Sequence, residues 1–382
     1  MKIAFDVLPM VSSHKSGIGY CEYGFVKTLI NNYDNSYIFN YIGKEKDTEI
    51  LTRLIKNKNK NISINCSNCK NSVYKIISTF LPIPYSVFFK DQVDITHFFN
   101  YYLPPGVRGK KIVTIHDMAY KRFPETVRLK TRKMLNLSLK KSINRADLII
   151  TVSEFSKQEI LSFFPECEGK IEIVYNGVDL DIFKPISDNT LKEAVKKKYK
   201  INGEFLLYLG TIEPRKNIER LLEAYSRFNR ELKDSPKLVL AGGKGWLDSG
   251  IFNAIDKLNL KDNVVLTGYV SDDDVPILMN AAKAFLFPSI YEGFGMPVLE
   301  AMACGVPVLT SNVSSLPEVV GNAAVLVNPF SVESILLGIN KITSDEKLRS
   351  EIIEKGKERA RLFTWEIVTK KLYKIYEDLF KG

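Results

Sequence analysis

The stretch FLLYLGTIEPRKN, residues 205–217, opens with five apolar residues and turns polar after Gly210. An apolar run this short, with nothing polar alternating through it, predicts a strand covered on both faces, as in a parallel sheet. Directly after it, Ile218, Leu221, Leu222 and Tyr225 recur at the three- and four-residue spacing of a helix with one buried face. Strand, loop and helix make half of a crossover unit, and in such sheets ligands bind beyond the carboxyl ends of the strands. The loop at that end carries Glu213, Pro214, Arg215, Lys216 and Asn217. Adjacent Arg and Lys suit a diphosphate, which Arg grips through two parallel N–H groups and Lys meets as a point charge. Solvated surface cations are the plainer alternative.

The same pattern extends outward in both directions. Downstream, apolar runs at 238–241, 264–266, 284–287, 306–310 and 324–327 end in loop residues; upstream, so do runs at 2–5, 38–41, 95–98, 112–115, 148–152 and 171–174. Strands separated by helical stretches predict an α/β protein with two Rossmann-like, doubly wound parallel-sheet domains facing across a cleft. A chain of 382 residues is long enough for both. The turn-rich NGVDLDIFKP, residues 176–185, reads as the linker, giving an N-terminal domain of residues 1–180 and a C-terminal domain of 181–365. Residues 366–382 read as a closing helix that returns toward the first domain.

The second candidate site is YEGFGMPVLEAMACGVP, residues 291–307. Pro297 fits the first turn of a helix running to about Ala303, and Gly305 ends it. Gly293 and Gly295 leave the Phe294, Gly295 and Met296 amides accessible at that helix start, which is an anion site. Glu292 and Glu300 flank it. A carboxylate repels phosphate but accepts well from vicinal sugar hydroxyls. Two of them around a phosphate loop suit a ligand with a sugar at each end of a diphosphate, a nucleotide sugar. The alternative has Glu292 capping the helix and Glu300 solvated on it.

Other motifs narrow the choice. Gly17 and Gly19 precede a helix expected from about Tyr20, but the third glycine of a dinucleotide fingerprint is missing, which argues against a bound nicotinamide or flavin cofactor. His116 and Asp117 follow the strand at 112–115, where a histidine, taken by itself, reads as structural. Asp272, Asp273 and Asp274 follow Ser271 and read as acids at a helix start, so no metal is expected; two of them binding a divalent ion is the competing reading.

Composition sets the outer limits. The net charge of +10 lies mostly in the first half, most densely over 121–145, where Arg128, Lys130, Arg132, Lys133, Lys140, Lys141 and Arg145 alternate with Leu129, Met134, Leu135, Leu137, Leu139 and Ile143. That segment, Lys121 to Arg145, fits peripheral association with an anionic membrane or an ordinary solvated helix. No nucleic-acid motif accompanies the charge. The five cysteines are scattered, with Cys66 and Cys69 in an Asn-rich stretch read as surface thiols, which suits a reducing compartment. No signal peptide or membrane span is read: the most apolar run, 79–89, is short and holds two prolines, so a cytoplasmic location is expected, peripheral to the inner face of the membrane if the basic segment binds it.

In this order, Gly17-Ile18-Gly19, Thr114-Ile115-His116-Asp117 with Phe123-Pro124-Glu125, Thr151 to Ser156, Tyr175 to Asp179, Gly210 to Asn217, Gly268-Tyr269-Val270 and Glu292 to Gly305 resemble a retaining glycosyltransferase of family 4 with the GT-B fold. The resemblance covers most of the chain. It implies that Arg215 and Lys216 hold the donor diphosphate, Glu292 the transferred sugar and Glu300 the ribose. It also implies that Gly293, Phe294, Gly295 and Met296 approach phosphates and sugar, that Gly268, Tyr269 and Val270 approach the base, that Gly17 and Gly19 let the first domain close over the diphosphate, and that His116 lies beside the reacting carbon. HD with FPE and GTIEPRKN is most similar to bacterial mannosyltransferases of surface-polysaccharide assembly, which leans toward GDP-mannose and a glycan or polyprenyl-linked acceptor. A UDP-sugar transferase, a nucleotide-sugar epimerase or phosphorylase of this architecture, and a non-catalytic nucleotide-sugar-binding subunit remain as rivals.

Overall fold

A computed structural model of the chain describes residues 1–11, 16–43, 51, 61–67, 74, 81, 83–232, 234–243 and 249–382. Cys69 and Phe80 lie outside the described residues. The chain divides into two compact units: Met1–Arg122, Val127–Gly177 and Trp365–Gly382 form the first, Phe123–Thr126 and Val178–Thr364 the second.

The first unit holds seven parallel strands: β1 (Lys2–Asp6), β2 (Ser36–Ile42), β3 (Ile62–Ser67), β4 (Ile95–Phe98), β5 (Lys110–Ile115), β6 (Leu148–Thr151) and β7 (Ile171–Ile173), in the order β3-β2-β1-β4-β5-β6-β7. The second holds six: β8 (Phe205–Leu209), β9 (Lys237–Ala241), β10 (Val264–Gly268), β11 (Ala284–Phe287), β12 (Val308–Ser311) and β13 (Val325–Val327), in the order β10-β9-β8-β11-β12-β13. Counted within each unit, both sheets start with the same third-second-first-fourth order. Strand order therefore reverses between β1 and β4 in one and between β8 and β11 in the other, where doubly wound sheets bind ligands.

The central strand β11, AFLF, is buried along its whole length, as an unbroken apolar run demands, and β4, ITHF, is equally buried although it carries Thr96 and His97. The strand β3 was not foreseen. It is an edge strand of sequence ISINCS in which no residue is fully buried, so its apolar signal is diluted. The exposed Cys66 lies on it. The expected strand at 306–310 begins later, at Val308, because Pro307 has no N–H for a ladder.

The helix Ile218–Glu231 buries Ile218, Leu221, Leu222, Tyr225 and Phe228 against the second core. The last helix, Trp365–Lys381, belongs to the first unit. Its Tyr373 stacks on Tyr33 at 3.7 Å, and its Tyr376 hydroxyl lies 2.6 Å from His97 Nδ1. Among the described residues no helix is long and apolar enough to cross a membrane.

Candidate active site

The chemistry of the second unit gathers at the switch between β8 and β11. The loop after β8 forms a single turn, Pro214–Lys216, and the chain then passes through Asn217 in the left-handed region, φ 63°, into the helix Ile218–Glu231. Asn tolerates that conformation better than most residues. Its side chain donates to the carbonyls of Pro288 and Pro329, so one buried amide ties together the loops after β8, β11 and β13.

Backbone and side chains zip the first two of these loops. Ile290 N–H donates to Arg215 O at 3.0 Å. In return, Arg215 Nη1 donates to Tyr291 O at 2.6 Å and to Glu292 Oε2 at 2.8 Å, while Nη2 donates to Glu213 Oε1 at 2.8 Å. Lys216 Nζ reaches Glu292 Oε1 at 2.6 Å and sits 5.0 Å from the centre of the Phe287 ring. Glu292 thus faces two cations, one on each oxygen.

These groups lie largely out of water, where ion pairs hold only if the geometry compensates for lost hydration. Burial pushes the Glu292 carboxyl up, but Arg215 and Lys216 outweigh it and hold the group at about 2. Burial lowers the Lys216 ammonium pKa, with Glu292 opposing and Arg215 assisting. The result is a largely buried charge cluster of two cations, Arg215 and Lys216, and two carboxylates, Glu213 and Glu292.

The loop carrying Glu292 is held from below by Ser314 and Ser315, which sequence reading had not singled out. Glu292 N–H donates to Ser314 Oγ at 3.2 Å, and Ser315 Oγ donates to the carbonyls of Glu292 and Phe294 at 2.9 and 3.1 Å. The Gly293–Gly295 turn leads into the helix Met296–Ala303, with Pro297 in its first turn as anticipated. Gly295 is required there: its φ is +100°, and a Cβ would stand 2.7 Å from Leu316 Cδ2.

Glu300 lies farther along that helix, half-buried. Its carboxyl is pushed up to about 7, by burial first and then by Asp272. Asp272 also accepts from the exposed Tyr269 hydroxyl at 3.0 Å, which joins the Gly268–Val270 loop to the Glu300 end of the helix. In that loop Gly268 is left-handed at φ +69° and Val270 is buried.

The expectation for Asp272 to Asp274 needs correction. The helix begins at Val275, and Asp274, at its N-cap position, makes no side-chain cap bond. Its carboxylate accepts instead from Lys198 Nζ, Tyr199 Oη and Ser271 Oγ at 2.5, 2.6 and 2.6 Å, because a nearby cation and two hydroxyls compete successfully with the backbone. Among the described residues no three His, Cys, Asp or Glu side chains cluster as a metal would require.

Gly17, Gly19 and His116 belong to the first unit. The helix there starts at Gly17, three residues earlier than expected, with Ser16 as its N-cap; Tyr20 N–H already bonds to Ser16 O. Among the described residues, a Cβ on Gly17 would meet nothing within 4 Å. His116 follows β5, buried, with Nε2 2.7 Å from Phe99 O. A carbonyl can only accept, so Nε2 carries the proton. Burial lowers the His116 pKa, against the opposing Phe99 bond and Asp117 charge, and favours the neutral imidazole.

Comparison with known proteins bears on this geometry. A family model described as glycosyl transferases group 1 matches residues 191–359, and one described as glycosyltransferase family 4 matches residues 69–182. The chain is 36% identical over 286 residues to O-antigen chain mannosyltransferase B of Escherichia coli, covering 75% of this chain and 74% of that protein. It is 35% identical over 224 residues to the serotype-specific mannosyltransferase WbdA of Escherichia coli, covering 58% of this chain and 27% of that longer protein. The solved structure of Anabaena Alr3699/HepE in complex with UDP and glucose superposes with a TM-score of 0.75 at 17% identity, covering 99% of this chain and 100% of that one, a likeness of fold.

Proposed function

Because the chain belongs to the family 4, group 1 glycosyltransferases and has their GT-B fold, we propose that it transfers a hexose, with mannose from GDP-mannose as the leading choice, to a glycan or lipid-linked glycan of a bacterial surface polysaccharide. The single observation that carries this reading is the meeting of Arg215, Lys216 and Glu292 at the switch between β8 and β11. The Glu292 carboxylate pairs with both cations, one on each oxygen, as an anionic ligand would. A donor diphosphate carries more charge, so it draws Arg215 and Lys216 to itself and leaves Glu292 to accept from the hydroxyls of the transferred sugar.

The reaction follows from that exchange. The bond between the sugar's anomeric carbon and the diphosphate oxygen breaks, its electron pair stays on the oxygen, and Arg215, Lys216 and the amides around Gly295 stabilise the growing charge. The acceptor hydroxyl attacks that carbon from the face the diphosphate leaves, and its proton passes to the departing phosphate oxygen, so configuration is retained. Cationic side chains and amides take the charge that a metal would otherwise take, and the reading is metal-independent. Glu300 accepts from the ribose, the Gly268–Val270 loop borders the base, and His116 serves the transferred sugar. The lean to mannose rests on the O-antigen mannosyltransferases to which the chain is similar. The UDP in the HepE complex keeps UDP-sugars in the comparison.

The test is to offer GDP-mannose and a set of UDP-sugars to the purified protein, with and without membranes bearing a lipid-linked glycan. Donor consumption that requires acceptor, with label in the glycan, is the expected outcome. Conversion without acceptor would make the protein an epimerase, and binding without turnover on any acceptor would make it a non-catalytic subunit.

A further inference from the structure

Beside His116 one residue holds a backbone conformation that its bulky side chain disfavours. Tyr101, in the loop after β4, has φ 38°, in the left-handed region where such a residue is an outlier. Tyr102 N–H donates to Asn100 O across it, closing a tight turn of the γ type. Strain of this kind persists only where the surroundings hold it, and it clusters at functional sites.

The contacts that hold it lead to β5 and the residues just beyond, all in the first unit. Tyr101 N–H donates to Thr114 O at 3.0 Å, although the pairing of β4 with β5 ends at Phe98 and Val113. The extra length on the β4 side lets Phe99 O turn to His116 Nε2, 2.7 Å away. The Tyr101 hydroxyl is locked on Asp117: it donates to Oδ1 at 3.1 Å and accepts from the Asp117 N–H at 3.2 Å. The Tyr101 ring stands 6.0 Å from the His116 ring, tilted at 58°. The His116 backbone is fixed separately, because Ser156 Oγ donates to its carbonyl at 3.1 Å. What the strained turn sets is the imidazole ring.

We propose that Tyr101 is the positioning residue for His116: its hydroxyl, tied to Asp117, keeps the turn closed, and the closed turn holds Phe99 O on the ring. With the proton kept on Nε2, Nδ1 is the nitrogen left to accept from a hydroxyl of the transferred sugar. The inference rests on the transferase reading above, in which His116 serves that sugar, and adds what orients it.

Tyr101→Phe removes the hydroxyl and keeps the ring. At saturating acceptor membranes and GDP-mannose, or whichever nucleotide sugar the wild type accepts, it is expected to lower turnover about tenfold. Affinity for GDP, held by the second unit, should stay at the wild-type value. In a His116→Ala background the same change should cost nothing more, since Tyr101 acts through that ring. The chain holds three histidines, so nitrogen-15 spectra of their rings can be assigned by substitution. At about pH 8, wild-type His116 should show the Nε2-protonated tautomer alone, and Tyr101→Phe a mixture of the two neutral tautomers, with the His97 signals unmoved as the mark of an intact fold. An unmixed tautomer in Tyr101→Phe, wild-type turnover, a loss that adds in full to that of His116→Ala, or a shift of His97 as well would each overturn the assignment. The tautomer is read without substrate. A wild-type protein that transfers nothing would therefore defeat the transferase reading, while the spectra still decide whether Tyr101 orients the ring.

Discussion

Lys216 shows how much a single side chain is asked to do. Only 11% of it is exposed, its ammonium is neutralised by Glu292 at 2.6 Å, and its position is braced by the Phe287 ring. A cation desolvated in advance costs no reorganisation when charge develops on a leaving group, and losing one such contact typically costs about a hundredfold or more in rate. Lys216→Ala is therefore expected to lower turnover at saturating donor by about a hundredfold or more, with the fold intact because Arg215 still pairs with Glu292. Turnover near the wild-type rate, with an unchanged melting temperature, would remove Lys216 from the reaction. Glu300 makes a different kind of prediction. With a pKa near 7 it gains its charge as pH rises through neutrality, and only the carboxylate is a pure acceptor for ribose hydroxyls. Donor affinity should rise by up to about tenfold between pH 6 and 8 and become flat in Glu300→Gln. Calorimetric titration across that range decides it; a flat wild-type profile would place Glu300 outside the donor site.

At the scale of elements, the helix Trp365–Lys381 is keyed into the first unit through a ring and two glycines. The Trp365 indole occupies the space a Cβ would need at Gly24 and at Gly177, and it meets the Phe25 ring edge-on at 5.1 Å. Gly24→Ala should gain about 1 kcal/mol of helix propensity and lose more to overpacking, so a net loss of about 1–2 kcal/mol is expected on denaturant unfolding. A stabilised variant would mean that the indole moves aside freely. The basic helix Leu129–Arg145 divides its apolar residues: Leu135, Leu139 and Ile143 enter the core, while Leu129 and Leu137 stay exposed beside Lys130, Lys133, Lys140 and Lys141. A face of that composition fits anionic lipid, each near-surface cation adding roughly 1 kcal/mol. Reversing Lys130 and Lys133 to Glu should weaken binding to phosphatidylglycerol vesicles at least thirtyfold at low salt, read by co-sedimentation. Equal binding by variant and wild type, or none by the wild type, would leave the helix as a solvated face.

At the scale of the whole molecule, the response to acid should be set by His97. It is fully buried between the Tyr376 and Thr114 hydroxyls, 2.6 and 2.8 Å away, and burial, with His116 nearby, lowers its pKa to about 3. Because the unfolded chain takes up this proton near pH 6.5 and the folded chain does not, stability is full above that value and falls as pH drops toward 3. About 2 kcal/mol should be gone by pH 5, and His97→Gln should lack that part of the slope in melting curves taken from pH 7 to 5. An unchanged slope would mean the group is not held neutral. The contact also marks the limit of what reads from the chain, since His97 and Tyr376 lie 279 residues apart. The apolar runs and helical spacings of FLLYLGTIEPRKN and its neighbours determined two parallel sheets, because burial on both faces leaves a local signature in every central strand. The edge strand β3, half solvated, left none. The sequence also supplied Arg215, Lys216 and Glu292 as chemical types at strand ends. Which of them meet was decided by tertiary structure alone: the pairing of β8 with β11 brings Arg215 to Glu292 across 77 residues, and Asn217, Ser314 and Ser315 fix the loops that carry them. Strand order joins residues that are not neighbours in the chain, and no periodicity along a sequence encodes which edges of a sheet come to lie side by side.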